Sequence, residues 1–243
     1  MCGRCCQDTA VPLTVNEAIS WLEDDGKVDL YVEADPWPVE PASDNLRAAH
    51  RKRRSFQAPC GTSNARITVI LVASFAGPCK NLNQEDMRCR IYERRPLVCA
   101  IYPTEISPFI QLDPANKRCP PEAWGAGDAI LQDAILHALI EKSRQTDRDD
   151  AMLKSLLCSE MKVDVAAVAG EGFIAYERDP EQLLAALRHA RAVDPANLPV
   201  VKPWILYSKV AEKIQSLGAQ GFQISNEKRP GDAYTFLWAQ TKN

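Results

Sequence analysis

Cys79, Cys89 and Cys99 stand ten residues apart in the stretch G-P-C-K-N-L-N-Q-E-D-M-R-C-R-I-Y-E-R-R-P-L-V-C-A-I-Y-P. Each lies in a segment too polar or too proline-bounded to be an ordinary buried strand. Cys2, Cys5 and Cys6 near the N-terminus and Cys119 downstream bring seven of the nine cysteines into one framework. A chain of 243 residues with 46% apolar content can bury a full core. Disulfides are the staple of domains below roughly 70–80 residues, so these cysteines are not needed to hold the fold together. No apolar leader follows Met1, and the longest apolar run, 67–76, is about half a membrane span. A soluble, cytoplasmic protein without a membrane partner is the expectation. In a reducing compartment such a framework reads as metal-binding or catalytic in preference to disulfide-bonded.

Thiolates are soft ligands that select zinc or iron-sulfur clusters over magnesium or calcium. In Cys2-Gly3-Arg4-Cys5-Cys6 the C-x-x-C spacing with a glycine inside lets the backbone turn so that two sulfurs face one ion. Cys5 and Cys6 are neighbours, so their side chains are expected to diverge, with one of them an outer thiol or the site polynuclear. A zinc ion or a cluster commonly takes four protein ligands. Seven thiols therefore leave three arrangements open: one metal with outer thiols, two metals sharing a ligand, or an iron-sulfur cluster with spare cysteines. Arg4, Arg88, Arg90, Arg94 and Arg95 are placed to offset thiolate charge or to pair with Glu85, Asp86 and Glu93. A Cys/His hydrolase is disfavoured because only His50, His137 and His189 are present. There is no Gly-rich phosphate loop, G-x-S-x-G elbow or G-x-G-x-x-G turn. A net charge of −3 argues against a nucleic-acid partner.

Thr14 and Glu17 form a capping box that opens a helix ending at Gly26. Val28 to Glu33 alternates as a half-buried strand, and 45–54 is a basic helix that reads as a solvated face, with an acidic partner or a lid over an anionic thiolate site as its functional readings. Cys60 sits in a predicted turn, P-C-G-T-S, and reads as an idle thiol. Ile67 to Phe75 is the best candidate for a central strand and delivers Cys79 into a loop. In the second half, helices are predicted over 128–142 and 152–161, from Asp179-Pro180 onward, and from Lys202-Pro203 to Gly218. Cys158 falls on one of these apolar faces as a core residue. The segments 222–225 and 233–239 flank R-P-G-D as a terminal hairpin. The fold class expected is α+β: a small sheet with a cysteine-rich metal-binding loop region over 1–121, and a mostly helical region with a C-terminal hairpin over 122–243, packed on the first.

C-G-R-C-C, then G-P-C-x-x-L, then C-R-I-Y-E-x-R-P-x-x-C-x-x-Y-P, then a final C-P, resembles the bacterial YkgJ-like cysteine-cluster proteins, described as zinc- or iron-chelating. The resemblance covers roughly residues 2–121 and implies metal ligation by Cys2, Cys5, Cys6, Cys79, Cys89, Cys99 and Cys119. It also implies a further cysteine about three residues before C-G-x-C-C, which the sequence lacks; Cys60, His50 or the amine of Cys2 are the substitutes. Enzymes with a similar cluster include flagellin lysine-N-methylases, in which an iron-sulfur centre is implied, but the second half here carries no recognisable methyl-donor loop. Tyr92, Arg95 and Pro96 are expected to shape the loop between Cys89 and Cys99. The function expected is a metal-binding protein holding an iron-sulfur cluster or Zn2+ through thiolates, with a redox or modification role. The alternative is a zinc-stapled module that binds a protein partner without catalysis.

Overall fold

The computed structural model describes residues 3–120, 133–194 and 197–239. The longest strand, β4 (Ser63–Pro78), extends the apolar run 67–75 in both directions. It pairs antiparallel with β1 (Gln7–Leu13) and β2 (Asp29–Pro36), and forms a tight hairpin with β3 (Phe56–Cys60). Alternation sets the register of β2: Leu30, Val32 and Ala34 are wholly buried opposite Leu71, Val69 and Ile67. The hairpin turns at Gly61, which has φ +66; an added Cβ there would lie 2.3 Å from the Gly221 carbonyl oxygen, so only glycine fits.

The other edge of β2 is shared. β8 (Gly172–Tyr176) pairs antiparallel with its Leu30–Val32 segment, and β7 (Val165–Val168) pairs parallel with Glu33 and Ala34. The sheet then continues in parallel through β9 (Ile205–Tyr207) to β10 (Ile224–Ser225), while β11 (Thr235–Trp238) pairs antiparallel with β8. The result is one mixed nine-stranded sheet drawing on both segments of the chain, in an α+β fold. A separate two-stranded ribbon joins β5 (Leu82–Asn83) to β6 (Arg88–Cys89).

Six α-helices accompany the sheet among the described residues. Helix α1 (Val15–Glu23) carries the expected capping box: the Glu17 N–H donates to Thr14 Oγ1 at 3.2 Å, and the Thr14 N–H to Glu17 Oε2 at 2.9 Å. It buries Val15, Ala18, Ile19, Trp21 and Leu22, the stripe that a 3.6-residue period puts on one face. Helix α2 (Leu46–Arg53) is capped by Asn45, whose Oδ1 accepts from the Ala48 N–H at 3.0 Å. The remaining helices are α3 (Leu97–Ile101), α4 (Ala134–Glu160), α5 (Pro180–Ala192) and α6 (Ala211–Ala219). Helix α1 packs on α5, and α4 on α2, α3 and α5. No helix among the described residues is long and apolar enough to cross a membrane.

Three expectations for the second half need correcting. First, helices α4, α5 and α6 make up only part of it, since it also supplies five strands of the sheet. Strand β7 is buried on both faces and so shows no alternation, and Gly170 (φ 86) separates it from β8. Lys202-Pro203 opens no helix: Ile205–Tyr207 is drawn into the sheet beside β7, and α6 begins only after Ser208 has donated to the buried Glu171 carboxylate at 2.8 Å. Second, the helices predicted over 128–142 and 152–161 are one 27-residue helix, α4, where described; residues 121–132 lie outside the described ones. Its polar middle is carried by contacts one turn apart, such as Gln145 Nε2 to Asp149 at 2.7 Å. Third, among the described residues the segments 222–225 and 233–239 do not pair as a hairpin. β10 and β11 pair with β9 and β8 rather than with each other, because Arg229 in the connecting turn is held by Asp164 at 2.5 Å and Asp232 at 3.1 Å.

Candidate metal centre

The first and last residues of the β1–β4 pair bring the N-terminal knuckle beside the 77–103 stretch. Gln7 is in register with Pro78, and the Cys79 N–H donates to the Cys6 carbonyl at 2.7 Å. Gly3, at φ 62, starts a 3-10 turn over Arg4–Cys6, and the Cys6 N–H closes it on the Gly3 carbonyl at 3.0 Å. The expected divergence of Cys5 and Cys6 is not what the fold gives: their Sγ atoms are 3.9 Å apart. Cys2 lies outside the described residues.

From Cys79 the chain makes a turn, with the Leu82 N–H donating to the Cys79 carbonyl at 2.9 Å, and the β5–β6 ribbon returns Cys89 opposite Leu82. Asn83 and Asp86 shape the tip by accepting from the N–H groups of Glu85 at 3.2 Å and Arg88 at 3.0 Å. Cys99 rides on α3, whose first N–H, that of Leu97, donates to Glu17 Oε1 at 2.7 Å. Cys119 is placed by its neighbour Arg118. The Arg118 N–H donates to Tyr102 Oη at 2.8 Å, and its guanidinium donates to the carbonyls of Gln7 and of Asp8, the latter at 2.8 Å.

The thiols share one electrostatic neighbourhood. Cys6 is pushed above the ordinary thiol range first by its contact with Cys5, then by burial and by Cys79 and Cys99. Burial, then Cys79, Cys5 and Cys89, push Cys99 up to about 12, although part of that residue's surface faces solvent. Burial and Cys89 raise Cys79. Cys5 is lowered to about 6, chiefly by the Cys6 contact, with Arg118 and Arg95 assisting. Tyr102 is raised by burial, and also by Cys119 and Cys5. Several sulfurs that disfavour one another's ionisation suit a cation that relieves the repulsion. Arg95 fits the same requirement. Its guanidinium stacks on Tyr92 at 3.7 Å from the ring centroid, and its Nε is buried without a hydrogen-bond partner.

Beyond the Cys5–Cys6 pair the sulfurs are looser: no three His, Cys, Asp or Glu side chains among the described residues are gathered tightly enough to hold an ion. The donor chemistry fits a soft metal. None of the described cysteines is in a disulfide. Cys60 and Cys158 are core residues. Cys60 ends β3 opposite Ser63, with its Sγ 3.3 Å from the Gln223 carbonyl. The 16 residues of β4 separate it from Cys79 by on the order of 50 Å along the strand, so it cannot replace a missing ligand. The basic side chains of α2 do not cover the thiols: Arg51 pairs with Asp35, Lys52 with Glu40 and Arg54 with Asp147.

Sequence reasoning did not single out Arg118 or the second role of Glu17. The only available signal was their position, beside Cys119 and inside a capping box.

Comparison with known proteins gives one match. Residues 1–120 match the model of the CxxCxxCC family, described as "Putative zinc- or iron-chelating domain". No curated protein and no solved structure matches the chain.

Proposed function

Because residues 1–120 belong to the CxxCxxCC family, we propose that this chain holds a soft-metal centre through Cys2, Cys5, Cys6, Cys79, Cys89, Cys99 and Cys119. The reading is carried by the hydrogen bond from the Cys79 N–H to the Cys6 carbonyl, which fastens the N-terminal knuckle to the loop that supplies the middle cysteines. Chelation belongs to residues 1–121, and the rest of the chain supports it through the common sheet.

An iron-sulfur cluster is the first reading, because Arg95 and Arg118 offset the thiolate charge beside Cys5; four of the seven thiols would hold it and the others would be spares. A bound cluster would supply one-electron chemistry. Zinc is the second reading, favoured by the 3.9 Å between the Cys5 and Cys6 sulfurs. Two ligands at about 2.3 Å from one tetrahedral ion lie roughly 3.8 Å apart. In that case the ion staples the loops and the chain serves as an interaction module for a protein partner.

The residues' own tasks are separable. Arg118 holds the start of β1 against the Cys119 segment, Glu17 holds the start of α3, and Arg95 supplies positive charge beside Cys5. Protein purified without oxygen and analysed for iron, acid-labile sulfide and zinc per chain tests the proposal. Iron with sulfide supports the first reading, and zinc alone supports the second. A metal content near zero, or one unchanged in a Cys5→Ser/Cys6→Ser variant that still folds, overturns both.

A further inference from the structure

The basic helix α2 is only partly accounted for by its ion pairs. Arg47 lies over the Phe109 ring, 4.9 Å from its centroid, and Arg51 and Lys52 have carboxylate partners. His50, Arg53 and Arg54 point instead to a small cleft against α4, where Arg144 and Arg148 face them, with Ile106 and Asp147 completing the lining. The cleft contains no cysteine.

Four guanidinium groups meet there, and two carboxylates answer them. Asp147 is 3.5 Å from Arg54, and the exposed Glu141 is 3.5 Å from Arg144 and 3.2 Å from Arg148. Arg53 donates through Nε to the Ala49 carbonyl at 3.2 Å and enters no ion pair among the described residues. Arg144 is fixed by its Nε, which donates to the Ile106 carbonyl at 2.8 Å. His50 stands edge-on to Phe109 at 5.6 Å, and its Nε2 is buried with no hydrogen-bond partner. Burial, and then the charges of Arg54, Arg144 and Arg53, hold its pKa below the ordinary imidazole value. A buried imidazole nitrogen left unsatisfied among several cations is a poor way to build a merely structural corner, since each feature costs stability.

We propose that this cleft binds a phosphate-class oxyanion, either inorganic phosphate or a small soluble phosphate monoester. Arg53, Arg54, Arg144 and Arg148 grip it, and His50, buried beneath them, senses its charge. Four guanidinium groups against Asp147 and Glu141, with Glu33 also near Arg54, leave the cleft positive, as an anion requires. Donors arriving from two facing helices suit a tetrahedral acceptor better than a planar carboxylate, and each guanidinium offers a forked pair of N–H groups. The arginines crowd the cleft, so the anion seats at its mouth as their side chains turn toward it.

The test is isothermal titration of the full chain, metal-loaded as purified, with inorganic phosphate in one arm and phenyl phosphate in the other, at fixed ionic strength. Arg53→Ala and Arg148→Gln are the variants. Both side chains reach solvent, so the fold is expected to persist, with circular dichroism and metal content per chain as the controls. Saturable binding that weakens about tenfold on removal of either arginine is expected. The more tightly held of the two probes shows whether the ligand is the free ion or an ester. Phosphate is also expected to move the His50 imidazole resonance, one of only three histidines to resolve. The proposal is overturned if neither probe binds saturably, if both variants bind as the parent does, or if the His50 resonance stays in place during binding.

Discussion

Replacing Glu17 by alanine removes two acceptors with one cut. Its Oε2 takes the Thr14 N–H at 2.9 Å, closing the capping box of α1, and its Oε1 takes the Leu97 N–H at 2.7 Å, anchoring the helix that carries Cys99. A hydrogen bond to a charged group contributes about 1.5–3 kcal/mol, and loss of a helix cap costs about 0.5–2 kcal/mol. Partial exposure of the Glu17 side chain places the total toward the lower end, about 2–4 kcal/mol. For a chain of this size that corresponds to a fall in Tm of roughly 5–15 °C. Glu17→Gln keeps one oxygen acceptor and is expected to cost about half as much. The assay is urea unfolding of chelator-treated protein, so that metal does not contribute to the difference. Glu212→Ala is the control, because Glu212 lies exposed in the first turn of α6, whose N-cap makes no side-chain bond; it should stay within about 0.5 kcal/mol of the parent. If Glu17→Ala costs no more than Glu212→Ala, the carboxylate does not join α1 to α3 in the way described.

Further outcomes follow from single contacts. Asp150 is buried, accepts from the Val15 N–H at 2.8 Å, and is held above the ordinary carboxylate range by burial, as are Asp29, Glu33 and Asp35. A raised folded value means the native state binds more protons than the unfolded one, so these groups lower stability as pH rises from about 4 through their folded values. Stability curves measured across that window should fall less steeply for Asp150→Asn than for the parent. Phe56, 1% exposed, meets Trp204 edge-on at 5.7 Å between centroids, so Phe56→Ala should cost about 3–5 kcal/mol in chemical unfolding. Gly26→Ala would set a Cβ 2.2 Å from the Trp21 ring, a clash expected to cost about 1–3 kcal/mol in the same assay.

What could be read from the sequence was whatever depends on neighbours along the chain. The capping box at Thr14 and Glu17, the helix start at Asp179-Pro180 and the alternation of 28–33 each appear where the residues place them. β7 was illegible because four residues buried on both faces carry no period. The pairing of β10 and β11 was illegible because a turn signal says that strands are near, not which strands they join. The site divides in the same way. The cysteine spacing announces soft ligands, whereas Arg118 acts on the carbonyls of Gln7 and Asp8, which are remote from it in sequence. The polar run 143–150 looked like a break because its stabilising contacts are polar, from the Gln145–Asp149 pair to the Val15 N–H on Asp150 and the Ile106 carbonyl on Arg144, and leave no apolar period.

Strand β2 accepts partners along both of its sides, and those on one side, β7 and β8, come from beyond the residues that match the chelating family. A fragment stopped at residue 120 would leave Leu30 to Ala34 with bare amide and carbonyl groups along a greasy border, an invitation to stick to other copies. The segment that bears the family's signature therefore depends on its sequel for solubility.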